Sequence, residues 1–141
     1  MSGLKTVVYE TVSLASAQAA IAAGVAEAAG MNIPMAMVIV DKSGVIVASA
    51  RMDHASPLTL DVAFKKAWTS AVTTAPTNGV HHFIASDPAA LLCMPNVANF
   101  TTVGGGLPIQ GQAGCVGAVG VSGATAELDS KVADAIIAAL S

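Results

Sequence analysis

Met35-Ala36-Met37-Val38-Ile39-Val40 runs directly into Asp41-Lys42-Ser43-Gly44, and Val45-Ile46-Val47-Ala48-Ser49-Ala50 follows. Two apolar segments of strand length joined by turn chemistry have one economical solution, an antiparallel hairpin. The first segment is continuously apolar rather than alternating, which suits a strand buried on both faces. Pro34 marks its start. A strand of that kind has to be covered on two sides, so the rest of the chain must supply the layers.

Helical spacing provides them. Ser13 has the chemistry of an N-cap, and Leu14, Ala17, Ile21, Val25 and Ala28 then recur on one face until Gly30 stops the run. Pro57 opens a second helix, expected over Leu58 to Thr74, with Leu60, Ala63, Phe64, Ala67 and Ala71 along one side and Pro76 as its end. Thr77 to Asn99 reads as short helical pieces and loops broken at Pro88 and Pro95. Asn99 to Val103 is expected as a strand leading into Gly104-Gly105-Gly106. Leu107–Gln110 and Cys115–Val121, joined by a Gly111–Gly114 turn, predict a second hairpin. A helix from Thr125 or Ala126 to Leu140 closes the chain. The order predicts one α+β domain over residues 1–141, a mainly antiparallel sheet with helices packed on it.

Charge narrows the functional classes. Charged residues are only 11% of the chain against 54% hydrophobic and 4% aromatic. A surface that apolar is best accounted for by contact with further copies, so a homo-oligomer is expected. Six basic residues and a net charge of -3 cannot line a phosphate backbone, which argues against nucleic acid as a partner. The longest apolar run, Ile33 to Val40, falls far short of the roughly 20 residues that span a membrane. Glu10 and scattered polar residues interrupt the stretch where an export signal would carry its apolar core, so the cytoplasm is the expected location. Cys93 and Cys115 form no ligand cluster and read as two small buried thiols.

Scarce charge draws attention to where it sits. Arg51 and Asp53 end the second strand and, two residues apart, project to the same side. Arg51 suits bidentate recognition of a carboxylate or propionate, with Asp53 orienting it or acting as a base. The plainer alternative is a structural ion pair that ties the loop to the next helix. Lys65 and Lys66 point about 100° apart on a helix, so only one can face a given site. A lysine in such apolar surroundings can serve as a base or amine nucleophile, or more simply bind an anion. His81-His82 read as surface or capping histidines. Gly104-Gly105-Gly106 either cradles an anion with successive N–H groups or forms a backbone-close bend.

These pieces together resemble the GlcG/HbpS family. The match lies in the order and spacing of Val40-Asp41-Lys42-Ser43-Gly44, Arg51-Met52-Asp53, Lys65-Lys66-Ala67-Trp68-Thr69-Ser70-Ala71, Gly104-Gly105-Gly106-Leu107-Pro108-Ile109, Gly117-Ala118-Val119-Gly120-Val121-Ser122-Gly123 and Asp129. The family includes haem-binding proteins and the C-terminal domain fused to PduO-type corrinoid adenosyltransferases. The resemblance implies a profilin-like fold with a five-stranded antiparallel sheet flanked by helices, and assembly into dimers or larger rings. It also implies haem binding, with haem degradation or iron binding in some relatives, and it favours Lys66 over Lys65 as the site lysine. Two positions depart from the family pattern. His54 stands where Arg-Met-Asp is usually followed by glycine, and its imidazole is a candidate axial ligand to haem iron. Trp68 stands where tyrosine is common and keeps an aromatic wall.

The first functional expectation is therefore haem held between the Arg51–His54 loop, the Lys66 helix and the triple glycine. Arg51 or Lys66 would pair with propionates, and His54 would ligate iron. The second is a lyase, isomerase or hydratase acting on a carboxylate-bearing substrate. There Arg51 would hold the carboxylate, Asp53 or Lys66 would move a proton, and the N–H groups of Gly104, Gly105 and Gly106 would stabilise an oxyanion. The third is an accessory subunit without chemistry, its apolar surface used for assembly.

Overall fold

A computed structural model describes residues 3–140. Helix α1 (Leu14–Gly30) leads into strands β1 (Ala36–Asp41) and β2 (Ile46–Arg51), then helix α2 (Pro57–Thr73). Short helices α3 (Thr77–Ala85) and α4 (Pro88–Cys93) and a 3-10 turn (Met94–Asn96) precede strands β3 (Gly106–Gly111) and β4 (Gly114–Ser122); helix α5 (Ala126–Ala139) follows. Every sheet pairing is antiparallel, and the strand order is β2-β1-β4-β3.

The continuous apolar run does what its pattern demands. Ala36 to Val40 are all buried, because β1 lies at the centre of the sheet with a helical layer on each face. Met37 and Ile39, with Val119 and Val121 from β4, pack against Ala17, Ile21, Val132 and Ile136 of α1 and α5. Val38 and Val40, with Ala118, face Ala63, Ala67 and Ala71 of α2. The small residues bring α2 unusually close: a Cβ on Gly120 would overlap the Ala63 carbonyl oxygen and lie 2.5 Å from the Ala67 nitrogen. The caps follow the sequence. Ser13 Oγ accepts from Ser16 N, Ser56 Oγ from Leu58 N, and Thr125 Oγ1 from Leu128 N.

The structure corrects two expectations. Among the described residues the sheet has four strands, not five, because residues 99–103 do not form one. Asn99 takes a left-handed conformation, φ 68°, and Thr69 of α2 serves the segment's backbone instead of a neighbouring strand. Thr69 Oγ1 donates to Asn99 O at 3.3 Å and accepts from Thr101 N at 3.0 Å. Of the two thiols, Cys115 is buried but Cys93 is exposed, since α4 buries none of its residues.

Candidate functional site

Lys66 is the largest fully buried side chain, 1% exposed. It leaves α2 on the side facing β4 and β3. Its Nζ donates to Val121 O and to Asp129 Oδ2, each at 2.8 Å. Asp129 sits in the first turn of α5, and its other oxygen accepts from Ala124 N at 2.9 Å. Burial pushes the Asp129 carboxyl above its ordinary value, against the opposing pull of the Lys66 ammonium and the Ala124 N–H. The pair therefore clamps α2, β4 and α5 together from inside the molecule.

The triple glycine packs over this pair. Gly105 has φ +120°, and a Cβ there would lie 2.7 Å from Val121 O, 2.9 Å from Asp129 Cβ and 3.0 Å from Lys66 Nζ. At Gly106 a Cβ would lie 2.5 Å from Lys66 O. The backbone of the bend is already engaged, with Gly106 N donating to Thr77 Oγ1 at 3.1 Å and Gly105 O accepting from Val121 N at 3.0 Å. These features match the backbone-close bend of the two sequence alternatives. Ser70 Oγ, on the same seam, is buried without a hydrogen-bond partner among the described residues. Only Gly104 borders open space, a cleft of about 480 Å³ shared with Asn78, Ser130 and Lys131.

Arg51, Asp53 and His54 lie elsewhere. Arg51 pairs with Ala36 on β1, Ala36 with Ser122 on β4, and the triple glycine enters β3 beyond that. The Arg51 loop and the glycines thus share one end of the sheet but sit at its opposite edges, about 14 Å apart at the usual strand spacing. Arg51 Nη1 donates to Ala55 O at 2.7 Å, and Met52 pairs through N with Met35 O at 3.0 Å, so the loop is tied down by its own backbone. Among the described residues Arg51 makes no ion pair with Asp53. His54 is exposed and left-handed, φ +70°, a conformation that glycine adopts without cost. Trp68 is at the other end of the sheet, where its ring packs on the Gly44 turn. Lys65 pairs with Asp61 at 3.0 Å on the helix surface. Arg51, Asp53 and Lys66 do not converge, whereas Lys66, Gly105, Gly106 and Asp129 do.

Sequence reasoning missed an apolar concavity. Between α3 and α4 lies a cleft of about 570 Å³ lined by Thr73, Val80, Phe83, Ile84, Ala90 and Met94. Phe83 forms its lip and is 86% exposed. His81 turns to the other side of α3, into a smaller cleft of about 240 Å³ beside Pro95 and Phe100. The available signal was Val80, Phe83 and Ile84 at helical spacing in a segment read as connecting pieces. Among the described residues no group of three or more His, Cys, Asp or Glu could hold a metal, and no helix is long and apolar enough to cross a membrane.

Antiparallel sheet, covering helices, internal clamp and an apolar cleft between α3 and α4 define a small α+β domain. The chain belongs to the HbpS-like family, described as haem degrading protein HbpS-like, whose model matches residues 12–138. It is 33% identical over 119 residues to protein GlcG of Escherichia coli K12, covering 84% of this chain and 85% of GlcG. The crystal structure of Klebsiella pneumoniae protein ORFY superposes with a TM-score of 0.89 at 29% identity, over 97% of this chain and 95% of that one. A crystal structure of a PduOC:heme complex superposes with a TM-score of 0.83 at 26% identity, over 92% and 94%.

Proposed function

We propose that this protein binds haem or a closely related tetrapyrrole in the cleft between α3 and α4. The observation that carries the reading is the cleft itself, which has a volume within the range of small-molecule sites and walls of Val80, Phe83, Ile84 and Ala90. The apolar walls suit the faces of a macrocycle, and one side chain offers iron a donor. Met94 brings a thioether, a soft ligand that haem iron accepts, into surroundings otherwise free of charge. Family membership and the haem complex of a 26%-identical neighbour support the same ligand. Bound there, haem would supply redox and ligand-binding chemistry at iron, while Val80, Phe83, Ile84 and Ala90 would exclude water and hold the group in place.

A second placement rests on His54. A histidine held at φ +70° is strained where glycine would not be, and strain of this kind collects at functional positions. In that reading His54 ligates iron and Arg51, beside it, pairs with a propionate.

Haemin titration followed at the Soret band separates the two. Gly79 lines the cleft, and a Cβ there would meet only Pro76 Cδ, at 3.8 Å, so Gly79→Trp fills the space without disturbing α3. Saturable uptake by the native protein and by His54→Ala, lost in Gly79→Trp, is the expected pattern. Uptake lost in His54→Ala and kept in Gly79→Trp would move the site to the Arg51–His54 loop. Absence of saturable uptake in the native protein would refute haem binding altogether.

A further inference from the structure

Four strongly exposed apolar residues lie close together on one segment. Leu4, Val7, Val8 and Tyr9 are 68 to 93% exposed. The segment Leu4-Lys5-Thr6-Val7-Val8-Tyr9-Glu10 has the composition of a strand, rich in β-branched and aromatic residues, yet it forms no regular element. Among the described residues its anchors come only after it. Val12 N donates to Val116 O at 2.9 Å, Thr11 Oγ1 donates to the same carbonyl at 3.2 Å and accepts from Lys42 N at 3.0 Å. Tyr9 adds a single contact, its ring 5.0 Å from Lys42 Nζ. The arm is thus held at its base, with most of its length open.

The sheet presents a matching gap. No residue of β2 is fully buried, and its outer side has no neighbour among the described residues. Its sequence, Ile46-Val47-Ala48-Ser49-Ala50-Arg51, carries no charge before its last residue and no proline, so it lacks the usual defences of an edge strand. Beside it a cleft of about 370 Å³ is lined by Ile46, Ser49, Leu60 and Phe64. The opposite edge is protected, because Pro108 removes a donor from β3 and the ladder shifts register at Ile109/Gln110. Arm and gap agree in length, in unpaired backbone groups and in apolar character.

We infer that the arm, residues 4–10, adds as a fifth strand to the β2 edge of a second copy of this chain. Pairing satisfies the backbone N–H and C=O groups of both strands and covers Val7, Val8, Tyr9 and Ile46. The chain is then an oligomer joined by exchanged strands. This inference is independent of haem.

Sedimentation of the full chain beside a variant lacking residues 3–10, and beside Val7→Asp/Val8→Asp, tests it. Both changes fall on exposed residues, and circular dichroism verifies that the fold is kept. An oligomer that falls to the mass of one chain in both variants is the expected result. An unchanged mass in either variant, or a full chain that is already a single copy, overturns the inference. Val8→Cys and Ser49→Cys, each in a Cys93→Ser background and treated with a bis-maleimide, locate the contact. Cross-linking in a mixture of the two singly substituted chains supports exchange. Cross-linking only when both cysteines are in one chain would place the arm on its own β2 and overturn it.

Discussion

Replacing Lys66 with methionine keeps most of the volume and removes the charge. The structure sets the size of the effect. Lys66 Nζ makes two bonds of 2.8 Å, to Val121 O and Asp129 Oδ2, and both acceptors are left behind when it goes. Asp129 then retains only the Ala124 N–H, inside a region from which water is excluded. Breaking a buried pair from one side costs about 3–5 kcal/mol. With a urea slope of about 2 kcal/mol per molar, the unfolding midpoint should fall by about 2 M. The double variant Lys66→Met/Asp129→Leu removes the orphaned charge and should recover at least half of that loss. The pH dependence has a defined sign. The Asp129 carboxyl already sits above its ordinary value in the fold, so the folded state takes up its proton more readily than the unfolded state. Its contribution to stability is complete at low pH and declines as pH rises through the folded value. Removing Lys66 takes away two influences that lower that value, so the carboxyl rises further and neutralises sooner on acidification. The deficit of Lys66→Met relative to the native protein should therefore shrink between about pH 8 and about pH 5. Urea unfolding at both pH values is the assay. A loss under about 1 kcal/mol, a deficit that grows on acidification, or a double variant as damaged as the sum of the singles would refute the clamp.

Three further changes probe other parts of the molecule. Gly120→Ala forces α2 off β4, because the new Cβ overlaps Ala63 O; a loss of about 1–3 kcal/mol or more is expected from chemical unfolding. His54→Gly relieves a left-handed histidine worth about 1–2 kcal/mol but loosens the unfolded chain, for a net gain of up to about 1 kcal/mol in thermal unfolding. Thr69→Val leaves Asn99 O and Thr101 N without their shared hydroxyl and should cost about 1–3 kcal/mol, with faster amide exchange at Thr101.

Much of the fold was legible because local pattern and burial coincide. The unbroken run at Ala36–Val40 became the central strand, and the alanine row of α2 became its cover. Residues 99–103 misled because their threonines suit a strand, while the decisive contact, Thr69, lies 30 residues earlier along the chain. The site was less legible. The pattern marked Lys66, the glycines and Asp129, and these do come together, but nothing local in the sequence shows that the ammonium points inward. Arg51 and His54 are close to Lys66 in the chain yet emerge on the far edge of the sheet, a separation set by strand order. The cleft at Phe83 and Met94 exists only once α3 and α4 dock, and no residue within it is conspicuous alone.

The Lys66–Asp129 clamp also bears on how the molecule comes apart. Its partners are 63 residues apart, and the bend at Gly105 packs directly over both. Lifting α5 alone would strand an ammonium beneath β4, and lifting α2 alone would strand a carboxylate. Partial opening along this seam is thus penalised from either side. Amides in α2, β4 and α5 should exchange through one shared event, at the rate of global unfolding, while those of α3 and α4 open on their own.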